Sequence, residues 1–177
     1  MIVFDEICET TQGVQISKAN QASEKLEGYE RYLYISDLLH DKGIKFIKND
    51  YPHKIVTEDD LVVANTGSPG RVFRGKYGIL SNNLFRLSFD SNVADKEYLY
   101  YILSSPIFQE SLQKQMKGGI QKHLGHKTMG KQKIPLPPLN QQIKISAILD
   151  AADAYKFKTK ALINKYDELT KSLFLDM

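Results

Sequence analysis

The sequence has a single cysteine and no tryptophan in 177 residues, and no apolar run in it is long enough to cross a bilayer. One thiol, Cys8, excludes an internal disulfide framework and a cysteine-rich zinc site, so folding should need no metal. Nothing around Cys8 suggests activation, and it reads as a small buried apolar residue. Met1–Thr10 carries no charged-then-apolar leader, which makes a cytoplasmic, membrane-free protein the expectation. The usual catalytic signatures are missing as well: there is no P-loop, no dinucleotide glycine fingerprint and no HExxH. Gly67-Ser68-Pro69-Gly70 lacks the spacing of a nucleophile elbow. Glu58-Asp59-Asp60 reads as a turn opening the next strand rather than as a metal site. His123 and His126 are three apart, but the glycines around them argue for a loop and against metal.

What is present is enough apolar surface to fold: 42% hydrophobic residues, with ten Tyr and eight Phe. The net charge of +3 conceals a strong asymmetry. Residues 1–110 carry 12 basic and 16 acidic side chains, residues 111–149 carry seven lysines and no carboxylate, and residues 150–177 balance five against five. A carboxylate-free segment holding Lys114, Lys117, Lys122, Lys127, Lys131, Lys133 and Lys144 is a candidate phosphate footprint; the alternative is a solvated basic loop.

The first 90 residues read as short strands and turns. The main candidates are Arg31–Ser36, Asp60–Asn65 and Asn83–Phe89, with shorter ones at Lys45–Ile47, Lys54–Thr57, Arg71–Phe73 and Tyr77–Leu80. The period then changes. Asp95 should cap a helix over Lys96–Ser104, and Ser105-Pro106 should start a second one with Ile107, Phe108, Ser111, Leu112 and Met116 along one side, ended by Gly118-Gly119. The expected fold is therefore α+β, a mostly antiparallel turn-rich sheet with helices.

Ile134-Pro135-Leu136-Pro137-Pro138-Leu139 forbids helix and imposes an extended segment. A long helix should follow, capped by Asn140. Its apolar positions Ile145, Ile148, Ala152, Tyr155, Leu162, Tyr166, Leu169 and Leu173, with Thr159 among them, alternate in steps of three and four, the seam of a coiled coil. A helix of this length extends roughly 55 Å, beyond the diameter of the domain, and should project toward a partner. A helix folded back over the sheet is the alternative. Three regions result: residues 1–133, a proline-rich junction at 134–139, and a helix over 140–177.

Three polar clusters could serve nucleic acid. In the run from Lys117 to Lys127, lysines release counterions, glycines allow close backbone approach, and Gln121 could bond adenine; Lys122, His123 and His126 add donors, while Ile120 and Leu124 anchor the loop. Arg71, Arg74, Lys76, Ser81, Asn82 and Asn83 form the second cluster, and Arg71 and Arg74 are candidate guanine readers. The third is the amide-rich stretch with Gln12, Lys18 and Asn20. Each is a solvated turn on the blander reading.

The succession GGIQKHLGHKTMGKQKIPLPPLNQQIKISAILDAAD and the long apolar-spaced helix after it resemble the end of a target-recognition domain and the adjoining helix in type I restriction–modification specificity subunits. Thr66-Gly67-Ser68-Pro69-Gly70-Arg71-Val72 and Ser81-Asn82-Asn83-Leu84 are similar to that family's glycine turn and following strand. The resemblance implies a non-catalytic, DNA-reading chain that docks methyltransferase subunits and, through them, a restriction subunit. S-adenosylmethionine and ATP would belong to those partners, and this chain would hold no cofactor. Members of the family hold two recognition domains and two helices; one of each here implies a half-subunit or a truncation, pairing with a second copy through the helix to read a split duplex site. A protein-interaction module with a basic surface, and a nuclease or methyltransferase domain, are the competing readings.

Overall fold

The computed structural model describes residues 1–40, 42–116 and 122–175, with side chains described as far as Ser172. The elements are β1 (Ile2–Val3), β2 (Cys8–Gln12), β3 (Tyr29–Leu33), α1 (Ile35–His40), β4 (Lys45–Lys48), β5 (Ile55–Val56), β6 (Leu61–Ala64), β7 (Val72–Phe73), β8 (Gly78–Leu80), β9 (Leu84–Phe89), α2 (Lys96–Ser104), α3 (Pro106–Gln115), α4 (His126–Gly130), β10 (Lys133–Ile134) and α5 (Leu139–Leu175). The α+β expectation holds. Two four-stranded sheets, ordered β2-β9-β6-β7 and β4-β3-β8-β5, and a two-stranded ladder β1-β10 are antiparallel except where β3 pairs in parallel with β8.

The strands form where apolar and β-branched runs meet turn residues. Leu61–Ala64 is buried at every position because it lies inside its sheet and is covered on both faces. One core joins this sheet to the helices, through Phe4, Leu61, Val63, Phe85, Leu99, Leu103 and Leu112. A second, around Leu33, Val62, Leu80 and Leu84, joins the two sheets, and Tyr32, Ile47 and Ile79 form a third on the far side. Cys8 is 3% exposed, and burial pushes its thiol up to about 12. The turn at 57–60 is held by the Asp60 carboxylate, which accepts from the Thr57 N–H at 2.8 Å.

Four expectations are corrected, and one strand is added. The strand expected over Arg31–Ser36 ends at Leu33 and gives way to α1, whose Asp37 is fully buried against Arg31. Cys8–Gln12 is a strand with no clean alternation of burial, so period-two reasoning does not see it. Ile107 does not join Phe108, Leu112 and Met116 on the buried side of α3; it is 83% exposed. That helix already stops at Gln115, and Gly118 and Gly119 lie outside the described residues. Finally, α5 begins one residue before Asn140, directly after the prolines.

Asp95 and Ser105 cap α2 and α3 as their positions predict. Asp95 does more than cap. Its backbone N–H donates to the Gln142 side-chain oxygen at 2.9 Å, and its carboxylate accepts from the Ser146 hydroxyl at 2.8 Å. Fully buried Gln142 also donates to the carbonyls of Val93 (3.0 Å) and Pro137 (2.8 Å). The root of α5 is thus bonded to the helix it packs on, and every residue from Ala151 to Ser172 is exposed. Among the described residues no helix is long and apolar enough to cross a membrane. Gln142→Ala strands three buried backbone groups and should cost about 2–4 kcal/mol in urea unfolding.

Candidate nucleic-acid interface

Residues from three separate parts of the chain converge at the turn that joins β8 to β9. The Asn82 carbonyl there accepts from the Gln12 side chain at 2.7 Å and from the Asn65 side chain at 3.0 Å. The Asn82 amide donates to Gln15 at 3.4 Å, and Lys54 donates to the Gln12 carbonyl at 2.8 Å. Gly13 makes this possible. A Cβ at that position would lie 2.2 Å from the carbonyl oxygens of Leu80 and Ser81, so only glycine lets β2 run this close to the turn.

The histidine segment is laid against the same place. Leu124 is fully buried, and its N–H donates to the Asn65 carbonyl at 2.8 Å, pinning the backbone between the two histidines. His123 Nδ1 lies 3.0 Å from the Thr66 hydroxyl, and His126 Nδ1 lies 2.5 Å from the Thr10 hydroxyl. The His126 ring also stacks on buried Phe85 with centroids 4.1 Å apart. His126 starts the short helix α4 instead of lying in a loop, and among the described residues no His/Cys/Asp/Glu group could hold a metal. Lys122 bonds Gln113 on α3, and Lys127 is exposed. Lys117 and Gln121 lie outside the described residues.

The other predicted residues are distributed elsewhere. Lys18 and Asn20 are exposed on a single helical turn, and Asn20 lines a cleft of about 370 Å³ with Ile16, Tyr29 and Tyr51. Arg71 is exposed beside Phe73 and lines a cleft of about 570 Å³ with Tyr100, Gln109 and Gln113. Lys76 is half-buried. Arg74 corrects its assignment as a base reader. Its guanidinium bonds Glu97 and, at 2.9 Å, Asp150 of α5, and it lies 4.3 Å from the centre of the Tyr100 ring. Burial at this junction opposes its charge, but Glu97, Asp150 and Tyr101 outweigh burial and hold its pKa above the ordinary value. Burial likewise opposes ionisation of Asp150, yet the Tyr101 hydroxyl and Arg74 keep its carboxyl below the usual range. Arg74 therefore fastens the helix to the domain.

Thr10, Gln15, Asn65, Thr66 and Phe85 complete the site, and the sequence does not single them out as site residues, because the contacts that bring them there, Thr66 with Asn65 apart, span 17 to 116 residues. His126 gives the site a pH signature. Burial first, and then the neighbouring His123, lower its pKa against a smaller opposing pull from Asp5. The unfolded chain thus binds a proton more readily than the folded one. Stability should fall as pH drops through about 6.5, and His126→Gln should flatten that fall in urea titrations between pH 8 and 5.5.

The sequence profile described as Type I restriction modification DNA specificity domain matches residues 3–171. The chain is 37% identical over 136 residues to the specificity subunit of the type I restriction enzyme MjaVIII from Methanocaldococcus jannaschii, a match covering 76% of this chain and 32% of that one. It spans about a third of that relative's length. Its fold is similar to that of the type I restriction-modification S subunit from M. genitalium, with a TM-score of 0.64, 18% identity, and 86% of this chain and 38% of that chain covered. The HsdS subunit from Thermoanaerobacter tengcongensis gives 0.68 and 19%, with 87% and 37% covered. With residues 3–171 matched to the family, this chain belongs to the type I restriction–modification DNA specificity domains.

Proposed function

We propose that this chain is a non-catalytic DNA reader that recognises one half of a split duplex site, with a second copy reading the other half. The convergence of Gln12, Asn82, His123 and His126 on one face, beside Lys54, Lys122 and Lys127, carries the reading. Amides and imidazoles offer base-edge contacts, and the lysines around them supply the phosphate contacts that set register.

The pairing half of the proposal comes from the geometry of α5. At about 100° per residue, the domain-facing residues Gln142, Ser146 and Asp150 occupy one side of this helix, and Ile148, Tyr155, Leu162 and Tyr166 occupy the other. Those four are 57–75% exposed, so the seam is fully available while the helix is anchored through its opposite face. With Ile145, Ala152 and Leu169, and with Leu173, whose side chain lies outside the described residues, it would form a two-fold helical spacer between two domains. Methyltransferase subunits, and through them a restriction subunit, would dock on this spacer. S-adenosylmethionine and ATP would be held by those partners.

Two measurements test this. Replacing Lys122 and Lys127 by Ala should weaken binding to every duplex and reduce the salt slope by about one per lysine, leaving site preference intact. Arg71→Ala should relax preference at one position if Arg71 reads a base; binding that vanishes equally for all sequences at moderate salt would instead favour a basic surface for an acidic protein partner. Sedimentation equilibrium should show a dimer at tens of micromolar, converted to monomer by charged residues at Tyr155 and Leu162.

A further inference from the structure

The hydrogen bonds behind His123 run in one direction only. A backbone carbonyl can only accept, so the Asn65 side chain must turn its NH2 toward the Asn82 oxygen, 3.0 Å away. That leaves the Asn65 amide oxygen facing the Thr66 hydroxyl at 3.1 Å, and this oxygen too can only accept. The one hydroxyl proton of Thr66 is thereby committed to Asn65. The Thr66 oxygen, 3.0 Å from His123 Nδ1, must then accept, and the imidazole must supply the proton. Neutral His123 is held as the Nδ1–H tautomer, with a bare lone pair on Nε2.

Asn65 is fully buried, so water does not compete for the root of this chain. The ring itself is exposed, and among the described residues Nε2 has no partner. Gln12 is set in the same sense: its NH2 donates to the same Asn82 carbonyl, which leaves its amide oxygen outward as an acceptor. His126 differs. Its Nδ1 meets the Thr10 hydroxyl, for which nothing fixes the direction of the proton.

Resting on the DNA-reading role above, we propose that His123 is a specificity-determining residue. Its Nε2 lone pair accepts a hydrogen bond from an exocyclic amine in the major groove, adenine N6 or cytosine N4. Guanine and thymine present acceptors at the equivalent groove positions and are rejected, because two acceptors facing each other leave both unpaired. Thr66 and Asn65 are positioning residues that choose which base edge the ring can read.

The tautomer is measured first, without DNA. Nitrogen-15 spectra of the imidazoles at pH 8 should show His123 protonated on Nδ1 and bare on Nε2, and Thr66→Val should release this while Thr66→Ser keeps it. A site is then selected from a random duplex pool with the intact chain. Each adenine in that site is replaced by purine, and each cytosine by 2-pyrimidinone, both of which lack the amine. One position should lose about tenfold in affinity with the wild-type chain and nothing further with His123→Ala, and the analogue that reveals it names the base. Protonation of His123 on Nε2, or binding in which no analogue separates wild type from His123→Ala, overturns the inference. Absence of any site-selective binding overturns the reading role and the inference with it, and the nitrogen spectra distinguish that failure from a wrong tautomer.

Discussion

The takeoff of the long helix depends on one buried amide. Gln142 sits at the first turn of α5, just after Pro138, and its buried amide bonds three backbone groups, the Asp95 N–H and the Val93 and Pro137 carbonyls. Each of those groups would be costly to leave unpaired in a dry contact, so together they admit one orientation of the helix root. Asp95 then couples that root to the domain, because the same side chain that caps α2 accepts from Ser146 a turn further along. The Arg74, Tyr101 and Asp150 layer adds charge at the rim of the contact, where partial exposure weakens it. A hydrogen-bonded interior with an ionic rim is a stiff joint, and stiffness is what a spacer between two reading domains would require.

The helix face that makes the joint and the face that carries the apolar seam are different, and neither competes with the other. Tyr155, Leu162 and Tyr166 are exposed, and the proposed recognition site is built from β2, the turn before β9 and the segment ahead of α4. The two proposed roles would thus fall to two regions joined by α2. The charge is divided too: Lys122 and Lys127 flank the candidate histidines, and the exposed helix carries both signs.

Much of this architecture was readable in the sequence, and the reason is local physics. Strand and helix periods, the caps Asp95 and Ser105 and the proline run are all decided within a few residues, and their positions were predicted within one or two residues in most cases. The errors share a cause. The strand Cys8–Gln12 forms on β9, whose residues Phe85–Phe89 lie far along the chain, and composition cannot reveal that pairing. Arg74 is the instructive example. Its residue type suits guanine, but Glu97 and Asp150 arrive from 23 and 76 residues away to claim it. Similarly, Gln12, Asn82 and His123 were each visible as polar residues in basic or amide-rich stretches. The chain of hydrogen bonds that links them, Gln12 and Asn65 on the Asn82 carbonyl and Thr66 between Asn65 and His123, was not.

The two-residue ladder between β1 and β10 has the widest consequence for how such a chain can change. Ile2 pairs with Ile134 and Val3 with Lys133, so the polypeptide enters and leaves the globular part at the same spot. A unit closed in this way is a cassette: its interior loops, strands and polar cradle can be exchanged as a block without altering the path by which the chain reaches the prolines and the helix. The root of α5 asks of the cassette Arg74, Val93, Asp95 and the α2 that carries Tyr101. Change within the cassette and constancy at the root of the helix can therefore coexist in one small chain.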